Sequence, residues 1–337
     1  MDSEGQLIER VIAGLPSEKR APRRLAHSRG LRLGIGDDAA VFRPSAHKEW
    51  VFSCDAFLED VHFVAKGSPA GSAGYKSLVR ATSDLTAMGA TPRFFFLTLA
   101  IPPARTGPWL DKFLKGMAAA ATQLGMRLAG GDTTRFPKVM VSITVLGEIP
   151  RGQVVTRTGG RPGDLLYVSG SLGGAQLGLQ LLRHGLTAAS RYRRLVRPHF
   201  YPSIKPQLGV WLARRRLASA MMDISDGLST DLARLCAASR VGARLFETRL
   251  PCVRVPRALS RLKLDPLQLA LHGGEDYQLL FSVPRNNRGQ LSRAPGSELL
   301  AEIGELTLDK QILLIDAVGR SSRLSPGGWD PFRTRAS

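Results

Sequence analysis

Nine acidic residues of this 337-residue chain stand where a merely solvated charge need not stand. Asp37 and Asp38 lie in GIGDDAAVF, between glycines and an apolar run, and Asp55 closes WVFSCD. Asp84 sits among small and apolar neighbours in ATSDLTAMGA, and Asp132 follows a double glycine in AGGDTTR. In the second half, Asp223 and Asp226 flank a serine in MMDISDGLSTD, and Glu275 and Asp276 follow another double glycine in LHGGEDYQLLF. Taken singly, each suits a helix cap or a turn, which aspartate favours; Asp226, just ahead of a helical pattern, is read so first. Taken together they fit a different chemistry. Carboxylates at strand ends converge in α/β folds, and clustered like charges raise one another's pKa unless cations neutralise them. An all-oxygen set without His or Cys partners suits Mg2+, not Zn2+.

Other phosphate-binding signatures are missing or weak. No GxxxxGK(S/T) string occurs, SAGYKS lacking the glycine–lysine pair, and GIGDDA sets two aspartates where a dinucleotide fingerprint would meet pyrophosphate. GSLGGAQLG opens a helical pattern whose N-terminus could meet an anion, though tight packing explains its glycines about as well. The strings GxSxG, HRD and HExxH are absent.

The elements that must position these acids read as alternating strands and helices. Residues 4–14 predict a short helix, followed by a basic, proline-containing loop from Pro16 to Gly30. Trp50–Asp55 predicts a strand ending on a carboxylate, and Tyr75, Leu78, Val79, Thr82 and Leu85 recur at helical spacing. Phe94–Ile101 and Val139–Ile149 predict strands on either side of a helix over Trp109–Leu124. After Gly152 the turn-rich TRTGGRPGD marks a boundary, dividing the chain into domains of residues 1–150 and 151–337. Beyond it come strands at Leu165–Ser169, Ala220–Ile224, Tyr277–Val283 and Ile312–Ile315, with helices at Ala175–His184, Pro206–Leu217 and Leu228–Ala238. The expected fold class is α/β, with two mixed-sheet domains.

Composition narrows the function classes. At 43% hydrophobic residues the chain can bury sizeable cores, while its longest apolar runs, such as Phe94–Pro102, are too short to span a bilayer. The N-terminal MDSEGQLIER lacks the pattern of a secretory signal, and three widely spaced cysteines (Cys54, Cys236, Cys252) suit a reducing cytoplasm better than a disulfide scaffold or zinc site. The net charge is +19, with +5 in residues 1–150 and +14 in residues 151–337. Nucleic-acid binders gather such charge in a stripe interleaved with aromatics; here aromatics are 7% and the basic clusters, RYRRLV and GVWLARRRL, are apolar-periodic. Nucleic acid is therefore not the expected partner.

One family resemblance covers residues 5–332. GIGDDAAVF, SCDAFLEDVHF, SDLTAMGATP, GGDTTR, TRTGGRPGDLLYVSG, DISDGLSTDL, GGEDYQLLF and GGWDPF occur in the order seen in bacterial thiamine-monophosphate kinases. These resemble aminoimidazole ribonucleotide synthetase and selenophosphate synthetase, with which they form a superfamily. The resemblance implies ATP-dependent phosphorylation of thiamine monophosphate to thiamine diphosphate by direct in-line transfer, with ATP and Mg2+ as cofactors. It implies Mg2+ ligands at Asp38, Ser53, Cys54, Asp55, Asp84, Asp132, Asp223 and Asp226. Gly131, Asp132, Arg157 and Ser225 match ATP-contacting positions, and His62, Glu275 and Trp329 the thiamine-phosphate side. It further implies a homodimer formed through the N-terminal sheet, with ATP in a cleft.

One departure matters. The strand-end triplet is SCD, where the family usually has threonine in the middle, and a thiol is a poor ligand for a hard cation. Two rival readings are another ATP-dependent synthetase of the superfamily and a non-catalytic nucleic-acid-binding relative. The first lacks the N-terminal Cys-containing glycine loop and the C-terminal cysteine tail of the selenophosphate and hydrogenase-maturation branches. The second predicts eroded aspartates, and the main ones are intact.

Overall fold

A computed structural model describes residues 4–16, 30–35, 39–43, 45–65, 67–187 and 190–332. Asp37, Asp38 and the basic loop 17–29 lie outside the described residues. The chain divides into two units, the first of Met1–Leu85 and Ala90–Gly152, the second of Thr86–Gly89 and Gln153–Ser337.

In the first unit, helix α1 (Glu4–Gly14) precedes a short antiparallel pair, β1 (Leu31–Leu33) and β2 (Val41–Phe42). Then come β3 (Lys48–Leu58), helix α2 (Ala70–Ala87), β4 (Thr91–Ile101), helix α3 (Pro108–Leu124), β5 (Arg127–Arg135) and β6 (Met140–Pro150). The four long strands form one sheet in the order β3–β6–β4–β5, antiparallel except for the parallel pair β4–β5. Side chains alternate between faces of a sheet. On β3, Val51 and Phe57 are buried while Phe52, Cys54 and Ala56 between them are exposed. Ser53 and Asp55 share the inner face with Val51 and Phe57, and the row partners of Ser53, Asp55 and Phe57, namely Val145, Ile143 and Val141 on β6 and Phe95, Leu97 and Leu99 on β4, are buried too.

Glycines let α2 and α3 cross at close range. A Cβ at Gly74 would lie 1.9 Å from the Phe113 carbonyl oxygen, and one at Gly116 would lie 1.8 Å from that of Gly71. No larger residue fits at either crossing point. On the other sheet face, Phe42, Trp50 and Phe94 form an aromatic cluster, with Phe42 edge-on to both partners, at 5.7 Å from Trp50 and 5.3 Å from Phe94. Phe52 stays 60% exposed on that face.

The second unit runs β7 (Leu165–Val168), α4 (Gly174–Arg183), α5 (Arg193–Phe200), α6 (Pro206–Arg214), β8 (Ala220–Asp223), α7 (Leu228–Ser239), β9 (Gly242–Phe246) and α8 (Pro266–His272). It ends with β10 (Leu279–Val283), β11 (Ala301–Thr307), β12 (Ile312–Ile315) and β13 (Ser321–Arg323). Its seven strands are ordered β13–β12–β9–β11–β7–β10–β8, and only β12–β9 is parallel. Leu166, Val168, Met222, Leu280 and Ile303 of this sheet pack with Leu228, Leu232 and Leu235 of α7 in one core. A second cluster joins Leu177 and Leu181 of α4 to Val196 and Phe200 of α5. The clustered arginines of RYRRLV thus belong to a helix whose apolar side is buried.

Two mixed sheets agree with the expected α/β class. The expected strand Tyr277–Val283 begins two residues later, at Leu279, because Tyr277 has φ +49°, a left-handed conformation no strand residue adopts. Among the described residues, no helix is long and apolar enough to cross a membrane.

Candidate active site

In the first unit the sequence-predicted residues ride on regular elements. Ser53 and Asp55 share the buried face of β3 with α2, and Ser53 Oγ donates to Asp84 Oδ2 on that helix. Four residues before Asp84, Arg80 donates from Nε to Asp55 Oδ2 at 3.2 Å and lies over the Phe57 ring. The spacing of four puts Arg80 and Asp84 on one side of α2, so the same helix face offers both a cation and a carboxylate. Arg80 escaped the sequence reading; SLVRATSD carries the signal only as that spacing.

Asp132 stands elsewhere. It pairs with Thr98 on β4, in one row with Ser142 and Ala56, whereas Asp55 shares its row with Ile143, Leu97 and Gly131. Adjacent rows face opposite sides, so Asp132 is on the exposed face, that of Cys54, and not with Asp55 and Asp84. Gly131 permits the tight β4–β5 pairing just before it: a Cβ there would sit 1.9 Å from the Leu97 carbonyl oxygen. Cys54 Sγ contacts Ser142 Oγ at 3.6 Å. Among the described residues, no three His, Cys, Asp or Glu side chains gather into a metal-holding group. Asp38 lies outside the described residues.

His62 occupies the turn after β3. Its Nδ1 accepts from Leu58 N at 3.0 Å, which leaves the proton on Nε2, and the ring stacks on Phe57. Glu59 steadies that turn: it receives both Arg105 guanidinium nitrogens at 2.7 and 2.8 Å and Val139 N at 2.8 Å.

In the second unit the candidates ride on loops, and the loops are bonded to one another. Asp223 ends β8 and is 3% exposed. In the following turn, Ser225 accepts at its carbonyl from Glu275 N at 2.8 Å, and Tyr277 N donates to Ile224 O at 2.8 Å. Trp329 N donates to Asp226 O at 2.9 Å, while Gly328 N reaches Thr230 Oγ1 at 3.0 Å. These bonds bring Ser225, Asp226, Glu275 and Trp329 together across a hundred residues of sequence. The indole is 39% exposed, so it is no core plug. Arg157 is exposed on the loop before β7, its carbonyl accepting from Ser239 Oγ at 2.9 Å.

Two acids hold this arrangement: Asp276, one of the nine singled out in the sequence, and Asp231, to which the sequence assigns no role. Asp231 Oδ2 accepts from Ser225 N, Asp226 N and Gly227 N at 3.0, 2.9 and 3.1 Å. Arg234 Nη1 then bridges Asp231 and Asp226. Burial pushes the Asp231 carboxyl up to about 6 despite those bonds. Asp276 accepts from Gly173 N at 2.5 Å and Ala175 N at 3.1 Å, and burial raises it to about 7. The helix N-terminus in GSLGGAQLG is occupied from within, by the Asp276 carboxyl. His199, 4% exposed on α5, places Nδ1 3.5 Å from Glu275 Oε2. Glu275 itself has φ +69°, a strained backbone of the kind that collects at functional sites.

Comparison with known proteins decides the family. The sequence matches the AIR synthase related protein N-terminal domain over residues 36–149 and the C-terminal domain of the same family over residues 161–316. It is 37% identical over 311 residues to the thiamine-monophosphate kinase of Escherichia coli (strain K12), covering 90% of this chain and 93% of that one. The chain belongs to the thiamine-monophosphate kinase family. The crystal structure of the family member from Stenotrophomonas maltophilia K279a superposes with a TM-score of 0.77 at 34% identity, covering 91% of this chain and 95% of that one. AaThiL complexed with AMPPCP and TMP gives 0.76 at 27% identity, covering 92% and 95%.

Proposed function

We infer that this chain phosphorylates thiamine monophosphate with ATP, and that the carboxylates above serve that transfer. The observation carrying the reading is the 37% identity to a thiamine-monophosphate kinase over 90% of the chain. A relative bound to AMPPCP and TMP together supports the pairing of a nucleotide with a thiamine phosphate.

The acceptor is itself a phosphate with a second pKa of about 6, so at pH 7 it is largely dianionic and needs no general base. The site loops hold carboxylates, glycines and one Ser–His contact, Ser229 Oγ to His272 Nδ1 at 2.8 Å, for which a dianionic acceptor leaves no proton to remove. The remaining task is to bring two polyanions into line. Ser53, Asp55, Asp84, Asp132, Asp223 and Asp226 would hold magnesium ions, with Asp38 and the carbonyl of Cys54. These donors are hard oxygens, and Mg2+ usually takes one or two carboxylates together with water and substrate phosphates. A three-acid cluster is thus not required, in keeping with its absence among the described residues. Such ions would supply positive charge against the two polyanions and so lessen their repulsion.

Gly131, Asp132, Arg157 and Ser225 serve ATP. On the acceptor side, the Nε2–H of His62 donates to the thiamine phosphate, and Glu275 and Trp329 meet the thiamine body. The thiazolium ring is a cation, and an indole face attracts it by about 0.5–2 kcal/mol. The enzyme works as a cytoplasmic homodimer whose second copy covers the exposed sheet face around Phe52. A coupled assay for ADP tests the reading. ADP should appear only when thiamine monophosphate is added, and equal release with and without it would overturn the assignment.

A further inference from the structure

A cavity of about 480 Å3 opens in the second unit, away from every candidate above. Leu165 of β7, Phe246 at the end of β9, and Glu302, Gly304 and Glu305 of β11 line it with Arg249, Arg285 and Arg288. Its size falls within the range that holds a small organic ligand.

The charges do not balance. Glu302 accepts from Tyr167 Oη at 2.7 Å and pairs with Arg249 at 3.2 Å and Arg288 at 3.0 Å. Glu305 pairs with Arg244 at 3.2 Å and with Arg285. Three guanidinium groups line the cavity with two carboxylates, a surplus of one positive charge; Arg244, the other partner of Glu305, is not part of the lining. An ion-pair network that only staples strands needs one cation per anion. Here each carboxylate orients two arginines and leaves most of their N–H forks unused by it. Arg249 is further fixed over the Phe246 ring, 4.4 Å from its centroid. Phe246 and Leu165 add an apolar wall beside the charged groups.

We propose that this cavity binds the phosphate of a small phosphomonoester, with Arg249, Arg285 and Arg288 on the oxygens and Phe246 and Leu165 against the organic part. A phosphomonoester is an anion at pH 7, of the sign the surplus attracts, and its oxygens accept the paired N–H bonds that guanidinium offers. The site is separate from the kinase reading and stands or falls without it.

Phenyl phosphate is the probe, titrated calorimetrically into the full chain in EDTA so that no metal-dependent site competes. One equivalent should bind, and Arg285→Ala with Arg288→Ala should weaken it at least tenfold while kinase turnover stays within twofold. The Arg285 and Arg288 side chains are 63% and 65% exposed, so their replacement leaves the packing intact. Arg285→Lys with Arg288→Lys, which keeps charge and loses the fork, should also weaken binding, by less. Inorganic phosphate should bind several-fold more weakly than phenyl phosphate; equal affinity would make this a bare anion site and overturn the organic half. Unchanged affinity in the alanine pair overturns the proposal. So does a wild type that ignores phenyl phosphate but binds an oligonucleotide through these two arginines.

Discussion

The acids of the first unit and those of the second are held in opposite ways. Ser53, Asp55, Asp84 and Asp132 sit on regular elements, the edge strands β3 and β5 and the helix α2. Their bonds are side chain to side chain, Ser53 to Asp84 and Arg80 to Asp55. Asp223, Asp226 and Glu275 sit at or beyond strand ends; Asp231 accepts from the N–H groups of the Ser225–Gly227 turn, and Asp276, next to Glu275, from Gly173 and Ala175 at the start of α4. A motif rich in aspartate is therefore not a count of ligands. DISDGLSTD and GGED each mix acids that can meet a ligand with an acid that holds the loop.

The sharpest way to break this contrast is to neutralise an acid of the first kind. Asp132 is exposed on the edge strand β5. Asp132→Asn should lower turnover by at least about 100-fold, which is near 3 kcal/mol of barrier, with an unchanged thermal midpoint. Near-normal turnover at moderate magnesium would remove Asp132 from the site.

An acid of the second kind should fail differently. Asp231→Ala strips three backbone N–H groups, one buried and two half-buried, of their acceptor, at about 1–3 kcal/mol for a buried group and less than additively. Urea denaturation should show a loss of roughly 3 kcal/mol. Asp55→Ala, which removes only a partly exposed pair with Arg80, should cost about 1 kcal/mol or less. Equal losses in the two variants would erase the distinction between the units.

A smaller effect follows from protonation. Burial raises Asp276 to about 7 from an ordinary 3.8, so the folded chain holds this proton more tightly than the unfolded one. The stability it contributes is complete below the ordinary value and is lost as pH rises through about 7. Between pH 5 and 8 the loss is on the order of 2 kcal/mol. Asp231, at about 6, adds a fall of the same sign centred lower. Thermal midpoints across that range should decline in the wild type and decline less in Asp276→Asn. Parallel slopes would mean that Asp276 does not titrate there.

Much of this was legible in the sequence, for physical reasons. β3 and β6 alternate cleanly, and α7 follows an acid-bearing turn, so their acids could be placed on elements at once. β5 could not: its two central glycines erase the period of two that a half-buried strand shows. Without β5, nothing indicated that Asp132 and Asp55 occupy opposite faces. The support roles of Asp231 and Asp276 were hidden because they depend on backbone donors four to six residues away, or a hundred, and no spacing rule reports such bonds. Trp329 shows the reverse case. SPGGWDPF has no period, and its value as a site residue came from the order of motifs; its bond to the Asp226 carbonyl gives that order a physical cause.

The smallest expected effect concerns Cys54, where this chain departs from its family. The metal reading needs an oxygen at this position, and a thiol is a poor substitute for a hydroxyl on Mg2+. The register resolves the difficulty. Cys54 pairs with Thr144 and points to the exposed face, whereas Ser53 and Asp55 on either side of it point to the face of α2 and Asp84. The sulfur is also far from Asp132, since β3 and β5 are three strand spacings apart, about 14 Å. Only the backbone carbonyl of Cys54 is then available as a ligand, and a carbonyl does not depend on the side chain it belongs to. Cys54→Thr should leave the magnesium dependence of the rate unchanged, within about 1.5-fold in half-saturation, an energy difference well under 1 kcal/mol. A clearly lower magnesium requirement in the threonine variant would show that the hydroxyl is the natural ligand. The side chain would then have to reach the metal from the exposed face, and the division of the first unit's acids between two faces would no longer describe its site.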